Sequence, residues 1–260
     1  MIFRSLLLTG AAGLLGTALR PRLAARVAHL RSTDIAPLTN PAPNEKLVQA
    51  DLGDPAAATA LVAGIEAIVH FGGISKDDDF RSIARVNIDG FYALYEAARL
   101  AGVRRVVFSS SVHAVGYYPQ TEVIDARAPT RPDSFYGLAK VFGENLAQLY
   151  WEKHGLETVS IRIGSSEPVP SNRRHLRTWL SFRDLDHLVE RALTVPNVGH
   201  TIIYGMSDNA EAFWDNRLAA PLGFRPKDSA DAYRDAIYAA DPAPNGRERL
   251  YTHQGGIWVA

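Results

Sequence analysis

The stretch Gly10-Ala11-Ala12-Gly13-Leu14-Leu15-Gly16 stands between a predicted strand, Phe3–Thr9, and a predicted helix, Leu14–Arg26. A glycine-rich turn from a strand into a helix lets the backbone approach a pyrophosphate. The start of the helix then offers that anion unpaired N–H groups and a positive dipole end. The turn therefore predicts a dinucleotide site at the beginning of an α/β unit. The residues expected to contact the dinucleotide here are Gly10, Ala12, Gly13, Leu14, Leu15 and Gly16.

Two other interpretations fit the same stretch. The glycines can form a simple packing turn, because glycine-rich turns are frequent. The segment from Arg4 to Leu19 also has the charge, the apolar run and the small residues of a signal peptide. That apolar run is about 15 residues long, which is too short to span a bilayer. Cleavage of this segment as a signal peptide would also remove the glycine fingerprint and the first strand. The dinucleotide interpretation is therefore preferred.

The composition is that of an ordinary soluble globular protein, with 47% hydrophobic and 22% charged residues in a chain of 260. The 28 acidic and 28 basic residues cancel, so no basic field exists to recruit nucleic acid or an anionic membrane. Cysteine is absent, which excludes disulfides, thiolate catalysis and cysteine metal sites and is compatible with a cytoplasmic protein. No metal site is predicted, and no later apolar run is long enough to span a membrane.

Strand-like and helix-like segments alternate up to about residue 165, which predicts an α/β fold: a Rossmann-type, doubly wound parallel sheet. Beyond Gly164 the pattern weakens, with a loop at 167–172, a helix at Ser181–Leu193 and helical pieces in Asp208–Ala240. We expect residues 1–165 to form the dinucleotide-binding core. Residues 166–260 are expected to form a small substrate lobe and the remaining sheet elements, within one compact unit. The predicted strands are Phe3–Thr9, Ala28–Asp34, Lys46–Ala50, Ala67–Phe71, Arg104–Ser109 and Thr158–Ile163, and the other predicted helices are Pro55–Ala63, Phe80–Leu100 and Tyr136–Lys153.

Further cofactor contacts are expected where the predicted strands end, because ligands gather at the carboxyl edge of a parallel sheet. Asp34 ends the second strand, and a carboxylate there accepts both ribose hydroxyls and repels a 2′-phosphate, which favours NAD over NADP. Asp34 can instead be a turn cap, and the nearby Arg31 leaves NADP open. Asp51 and Leu52 suit an adenine contact, although Asp51 can also be a helix cap. Phe71, Gly72 and Gly73 would let the backbone lie against the cofactor.

Tyr136 and Lys140 are the strongest catalytic candidates, because their i, i+4 spacing puts them on one face of a helix. A lysine ammonium beside a phenol favours the phenolate, so Lys140 should lower the pKa of Tyr136 and make it a proton acceptor. The alternative is a solvated pair on an exposed face. Ser111 follows the fifth predicted strand and could hold the substrate oxygen. Asn87 lies unusually in the middle of a long predicted helix.

In this order, Gly10, Gly13, Gly16, Ser111, Tyr136 and Lys140 resemble the motifs of the extended short-chain dehydrogenase/reductase superfamily over residues 1 to about 165. The resemblance implies a Rossmann fold, an NAD(P) cofactor and a Ser–Tyr–Lys triad. It also implies that Asn87 takes part in a proton relay and that Tyr136 and Lys140 contact the cofactor as well.

A finer resemblance, to bacterial uronate dehydrogenases, runs nearly end to end. It rests on His70-Phe71-Gly72-Gly73-Ile74-Ser75, Gly116-Tyr117-Tyr118-Pro119-Gln120-Thr121-Glu122, Arg162-Ile163-Gly164-Ser165 and Gln254-Gly255-Gly256. It implies NAD-dependent oxidation of C1 of glucuronate or galacturonate to the aldarolactone. It implies sugar contacts from Ser75, Ser111, His113, Tyr136, Ser165 and Arg174. One departure is Val112, which stands where the family pattern tends to have asparagine, so one polar sugar contact is expected to be lost or supplied elsewhere.

Arg174 also suits a uronate on chemical grounds, because a guanidinium binds a carboxylate in a bidentate fork. Arg173 and Arg177 compete for this role on the same segment, and a solvated basic turn is the alternative for all three. His113 can equally be a structural histidine.

Two other functions are compatible with a dinucleotide site. A nucleotide-sugar epimerase or dehydratase that retains NAD needs a substantial C-terminal domain, yet fewer than 100 residues follow Gly164. A dinucleotide-sensing regulator without activity does not need the complete set of Ser111, Tyr136 and Lys140.

We expect a cytoplasmic homo-oligomer, by analogy with the pairing of long helices in the superfamily. Its partner is a small uronic acid, with no nucleic acid or membrane, and the sequence does not rank glucuronate against galacturonate.

Overall fold

The strand order shows where the chain can bind a ligand. In the computed structural model, which describes residues 3–240 and 249–259, seven strands form one wholly parallel sheet in the order β3-β2-β1-β4-β5-β7-β8. The strands of this sheet are β1 (Ser5–Thr9), β2 (His29–Asp34), β3 (Glu45–Gln49), β4 (Ala67–His70), β5 (Arg105–Ser111), β7 (Glu157–Ile163) and β8 (His200–Gly205). Two short strands, β6 (Ile124–Asp125) and β9 (Trp214–Asp215), form a separate pair. The order reverses between β1 and β4, and a crevice at the carboxyl ends of those strands is the binding place of open α/β sheets.

Helices cover both faces of the sheet, because its strands bury alternate side chains on opposite sides. Leu6 and Leu8 join a core with α1 (Leu14–Ala24) and α7 (Phe182–Thr194), whereas Leu7 joins a core with the helices of the other face. Those helices are α2 (Pro55–Val62), α4 (Gly90–Leu100) and α5 (Phe135–His154). The remaining α-helices of the described residues are α3 (Phe80–Ile83), α6 (His175–Thr178), α8 (Arg234–Ala240) and α9 (Arg249–Thr252). The predicted doubly wound α/β fold is confirmed.

The predicted strands and helices of the first 165 residues are present, with ends that differ by one or two residues. One exception is the helix predicted over Phe80–Leu100. It is interrupted by a π-helical turn, Ala84–Asp89, between α3 and α4. Asn87 lies within that turn and its side chain bonds to the backbone of Ile74, so the local widening directs a side chain toward the binding edge.

The C-terminal part differs more from the prediction. Strand β8 is one of the sheet elements expected after residue 165, although its position was not predicted, and it pairs with β7 as the outermost strand of the sheet. The helical pieces expected in Asp208–Ala240 are only partly present, because Trp214–Asp215 forms a short parallel pair with β6. Two 3₁₀ turns, Arg217–Leu222 and Ala230–Tyr233, precede α8. Strand β8 and helix α7 complete the sheet and its cover. The small substrate lobe within the same compact unit stays a prediction. No helix among the described residues has the length and apolar character needed to cross a membrane.

Candidate active site

The glycine turn after β1 is packed so closely that side chains have no room. Gly10 has φ +71°, a left-handed conformation that favours glycine, and a β-carbon there would lie 2.5 Å from the carbonyl of Phe71. A β-carbon at Gly16 would lie 2.0 Å from the carbonyl oxygen of Gly10. The turn is closed by a hydrogen bond from the N–H of Gly13 to that same oxygen, 3.1 Å. This backbone cradle at the start of α1 fits a pyrophosphate.

Asp34 lies at the end of β2 beside this turn. Its Oδ2 accepts the N–H of Ala12 at 2.9 Å and its Oδ1 accepts the N–H of Ala36 at 3.0 Å. Arg31, which left NADP open, donates to the carbonyls of Leu61 and Ala63 at the end of α2, 2.6 and 3.0 Å away. Its guanidinium is therefore engaged with a helix C-terminus, where cations are favoured. The sheet edge beside the glycine turn therefore presents the carboxylate of Asp34, which suits the 2′-hydroxyl of a ribose.

Asp51 and Leu52 continue this edge after β3. The Oδ1 of Asp51 accepts the N–H of Gly53, and its Oδ2 accepts a 2.8 Å hydrogen bond from Arg85, which lowers the pKa of the carboxyl. Leu52 packs toward Gly72, where an added β-carbon would lie 2.3 Å from a methyl carbon of Leu52. The two residues thus line the same edge as Asp34, and the adenine contact stays a prediction.

A cavity of about 330 Å³ runs from the glycine turn to the predicted catalytic residues. Most of the predicted site residues line it directly: Gly10, Leu14, Leu15, Gly16, Phe71, Gly72, Gly73, Ser75, Ser111, His113, Tyr136 and Lys140. Ile163, Gly164, Ser166 and Glu167 also line it and were not predicted. The predicted residues outside its wall are Ala12, Gly13, Asp34, Asp51, Leu52, Asn87, Ser165 and Arg174.

Helix α5 brings Tyr136 and Lys140 to this cavity. Ser134 caps the helix, because its hydroxyl accepts the N–H of Gly137 at 3.0 Å. The ammonium of Lys140 donates to the carbonyl of Ser109 at 2.7 Å and lies 5.2 Å from the centre of the Tyr136 ring. The hydroxyl of Ser111 lies close enough to that of Tyr136 to act toward lowering the pKa of the phenol. Ser111, Tyr136 and Lys140 are therefore brought together, as predicted.

Burial dominates the acidity of this group. Burial raises the pKa of Tyr136 to about 12, opposed by the hydrogen bond with Ser111 and reinforced by the charge of Asp133. Burial also lowers the pKa of Lys140 to about 8, and the charge of Glu144 opposes that shift. The expectation that Lys140 lowers the pKa of Tyr136 is therefore wrong for the protein alone. The ammonium is bonded to the Ser109 carbonyl, and desolvation of the phenol outweighs the hydrogen bond from Ser111.

Asn87 is buried and holds the loop that follows β4. Its Oδ1 accepts the N–H of Ile74 at 2.8 Å, and its Nδ2 donates to the Ile74 carbonyl at 2.9 Å. Both ends of the amide are thus used to position the loop that carries Gly73 and Ser75, and the relay role of Asn87 stays a prediction. Ser75 is exposed at the cavity wall.

Arg174 lies in a second cavity of about 550 Å³, and His113 borders both cavities. One terminal nitrogen of Arg174 donates to the hydroxyl of Ser165 at 2.8 Å, and the other donates to the carbonyl of Gln254 at 3.0 Å. Its Nε is buried and has no partner among the described residues. Burial lowers the pKa of Arg174 to about 10. A buried guanidinium with an unused donor is a site for an anion.

The neighbouring arginines are arranged differently. Arg177 lies 3.6 Å from the carboxylate of Glu211, and the guanidinium of Arg173 stacks 4.3 Å from the centre of the Tyr238 ring. Neither lines the cavity that His113 and Arg174 share. Ser165 also bonds with Thr178, 2.8 Å away, so in this arrangement its hydroxyl orients Arg174.

His113 has two further neighbours that sequence reasoning missed. Its Nδ1 lies 2.8 Å from the Oδ2 of Asp133, and its ring stacks on Trp258 with 3.9 Å between ring centres. Trp258 also meets the edge of Tyr136 at 5.2 Å. The glycines of the 254–256 motif were the only sequence signal for this approach of the C-terminal segment. Val112 is buried in an apolar cluster with Tyr118 and Met206, so its side chain supplies no polar contact at this position.

Residues 6–167 match the NAD dependent epimerase/dehydratase family. The chain belongs to this family. Within it, the chain is 52% identical to the uronate dehydrogenase of Pseudomonas putida over 258 residues, which cover 99% of this chain and 96% of the relative. It is 47% identical to the uronate dehydrogenase of Agrobacterium fabrum over 256 residues, with coverage of 98% and 97%.

Solved structures of family members superpose closely. A glucuronic acid dehydrogenase from Chromohalobacter salexigens gives a TM-score of 0.97 at 43% identity, covering 99% of this chain and 97% of that one. A mutant uronate dehydrogenase from Agrobacterium tumefaciens in complex with NAD gives a TM-score of 0.96 at 47% identity, with coverage of 98% and 97%. The architecture, including the C-terminal segment, is therefore that of these dehydrogenases.

Proposed function

We propose that this protein is an NAD-dependent uronate dehydrogenase, which oxidises C1 of D-glucuronate or D-galacturonate to the aldarolactone. The observation that carries the substrate assignment is the buried guanidinium of Arg174, whose Nε has no partner in the part of the chain that the structure describes. A uronate carboxylate would supply both the missing acceptor and the opposite charge. The names of the relatives, uronate and glucuronic acid dehydrogenases, agree with that chemistry.

The residues around the glycine turn fit NAD. Gly10 and Gly16 leave the backbone open to a pyrophosphate, and Asp34 places a carboxylate where a ribose 2′-hydroxyl is preferred over a phosphate. Arg31, which left NADP open, is held at the end of α2. When bound, NAD supplies the hydride acceptor and the positive charge of the nicotinamide ring.

The chain's own residues handle the proton. Ser111 holds the oxygen on C1, and the oxygen of Tyr136 accepts the proton of that hydroxyl. Lys140 places a positive charge beside the Tyr136 ring and is itself fixed by the carbonyl of Ser109. Because burial raises the pKa of Tyr136 to about 12, the phenolate needs stabilising charge within the site.

The test is the formation of NADH, followed by absorbance, with glucuronate and with glucose. Arg174→Ala should cost about 2–5 kcal/mol in transition-state binding of the uronate, the range for removing one partner of a buried charge pair. The preference for glucuronate over glucose should collapse, while NAD still binds. Arg173→Ala and Arg177→Ala are matched controls on the same segment and should keep the preference.

Each other outcome has a definite meaning. If Arg174→Ala discriminates as well as wild type while Arg173→Ala or Arg177→Ala does not, the wrong arginine has been assigned. If no uronate yields NADH, the proposed function is wrong. An epimerase that retains its NAD gives no net NADH, so the same assay also separates that alternative.

We also propose a cytoplasmic homo-oligomer, supported by the analogy within the superfamily and by apolar side chains exposed on the two long helices. Tyr92 of α4 and Leu138 and Leu149 of α5 are 50%, 44% and 43% exposed. Light scattering coupled to gel filtration should give a mass that is a multiple of 28.4 kDa, and a mass of one chain would contradict the oligomer. Fractionation of cells that express the native chain tests the location.

A further inference from the structure

Asp133 contacts the Nδ1 side of His113, and its carboxylate fits a space that two glycines leave open. Its side chain is fully buried, its Oδ1 accepts the hydroxyl of Ser134 at 2.9 Å, and its Oδ2 lies 2.8 Å from the Nδ1 of His113. Two distant glycines make room for it. A β-carbon at Gly116 would lie 1.7 Å from Oδ2, and a β-carbon at Gly255 would lie 2.0 Å from the same atom.

The imidazole of His113 is held in two directions. Asp133 fixes it within the plane of the ring, and the indole of Trp258 stacks on its face at an interplanar angle of 19°. A carboxylate only accepts hydrogen bonds, so the nitrogen facing it carries the hydrogen. In the neutral imidazole Nε2 is then the acceptor, and it has no partner among the described residues, in a ring that borders both cavities.

We propose that Asp133 is a positioning residue that keeps the proton of His113 on Nδ1, so that Nε2 accepts a hydrogen bond from a hydroxyl of the sugar. This inference rests on the proposed function for the identity of the sugar. It makes His113 a selective group, because the substrate must present a hydrogen at that point. A substrate with only an acceptor there would leave two acceptors facing each other.

The charge of Asp133 acts on two other site residues as well. It raises the pKa of Tyr136 and opposes the lowering of the pKa of Arg174. Removing the charge would therefore lower the pKa of Tyr136 and favour its phenolate. An effect through Tyr136 alone would speed the reaction at neutral pH, so a slower reaction points to His113 or Arg174.

The first measurement is the tautomer of His113 in the full chain without substrate, by ¹⁵N NMR of histidine-labelled protein. The His113 signals are assigned by their absence in His113→Gln. Wild type should show a protonated Nδ1 and a bare Nε2. In Asp133→Asn the amide can donate to Nδ1, so the proton should move to Nε2.

The second measurement is steady-state kinetics with glucuronate. Asp133→Asn should lower kcat/KM about 10- to 100-fold, mainly through KM, as expected for a lost hydrogen bond in a buried site. Asp125→Asn is the matched control, because the Asp125 carboxylate accepts the N–H of Arg127 in a turn and lines neither cavity. In a double-mutant cycle, Asp133→Asn should add little to the loss already caused by His113→Gln.

A wild-type His113 protonated on Nε2 would overturn the proposal without any variant, even if Asp133→Asn fails to fold. An unchanged tautomer in folded Asp133→Asn, or fully additive losses in the cycle, would overturn it too. Additive losses would leave Arg174 as the route of the effect. If wild type has no uronate activity, the proposed function fails, while the NMR result still decides the role of Asp133.

Discussion

At the scale of single residues, burial pushes the reactive groups of the site toward their neutral forms. The pKa of Tyr136 is raised to about 12, that of Lys140 is lowered to about 8 and that of Arg174 is lowered to about 10. Each of these groups gains charge stabilisation when an opposite charge or a hydrogen-bond partner enters the cavity. The site therefore favours ligands that bring charged or hydrogen-bonding groups to Tyr136, Lys140 and Arg174 and displace water from the cavity.

Tyr136→Phe keeps the ring and removes the proton acceptor. Turnover should fall at least about 10²-fold, the usual scale for loss of a general base, with little change in NAD affinity. Wild-type kcat/KM should also rise with pH through the neutral range, because the reactive form of a phenol with a raised pKa is the deprotonated one. Tyr150→Phe on the same helix, whose hydroxyl donates to Glu96, is the control and should keep both properties. Near-normal turnover in Tyr136→Phe would exclude the role.

Asp34→Ala should weaken NAD and relieve the repulsion of a 2′-phosphate, so the ratio of kcat/KM for NAD to that for NADP should fall. Arg31→Ala is the comparison variant. Since its guanidinium caps α2, it should leave that ratio unchanged. An unmoved ratio in Asp34→Ala would mean that the carboxylate only supports the backbone of Ala12 and Ala36.

At the scale of elements, one buried ion pair ties the catalytic helix to the sheet. Glu144 of α5 accepts two hydrogen bonds from Arg162 of β7, 2.9 and 2.8 Å long, and one from Ser110 of β5, 2.6 Å long. The side chains of Glu144 and Arg162 are only 3% and 2% exposed. Glu144 lies one turn beyond Lys140 on α5. The ion pair therefore fixes the position of Tyr136 and Lys140 relative to the ends of β5 and β7.

Glu144→Gln should lower the free energy of unfolding by about 3–5 kcal/mol, because it leaves the buried Arg162 charge without an opposite charge. Urea unfolding followed by circular dichroism measures the change. Glu152→Gln makes the same substitution on the exposed side of α5 and should leave the midpoint nearly unchanged. Glu144→Leu combined with Arg162→Met should recover much of the loss. An equal effect of the two glutamine variants would contradict the junction.

At the scale of the whole molecule, the strand order gathers distant segments at one edge. The glycine turn, the loop after β4, the end of β5, the start of α5 and the segment around Trp258 all border the two cavities. Binding of NAD across this edge should therefore stabilise the fold as a unit.

Saturating NAD, at about 100 times its Kd, should add about 2.7 kcal/mol to the stability of the folded chain. For a chain of this size that corresponds to a rise in Tm of about 5–10 °C. A thermal scan measures it, with NADP at the same concentration as the control. The rise should be smaller with NADP, and smaller with NAD in Asp34→Ala. No rise with NAD would contradict the cofactor site.

Patterns that depend on near neighbours could be read from the sequence. The alternation of strands and helices, the glycine turn and the Tyr136–Lys140 spacing are local properties, because backbone geometry decides them within a few residues. Arg174 was chosen over Arg173 and Arg177 by resemblance, and the geometry agrees with that choice.

What only the tertiary structure decided depends on burial and on contacts between distant segments. The raised pKa of Tyr136 follows from desolvation, which spacing along a helix does not reveal. Strand β8 is stabilised by its pairing with β7, and the π-helical turn accompanies the bond between Asn87 and Ile74. Asp133 and Trp258 reach His113 from positions 20 and 145 residues away, because the turn before α5 and the C-terminal segment both bond to the backbone of residues 113–116.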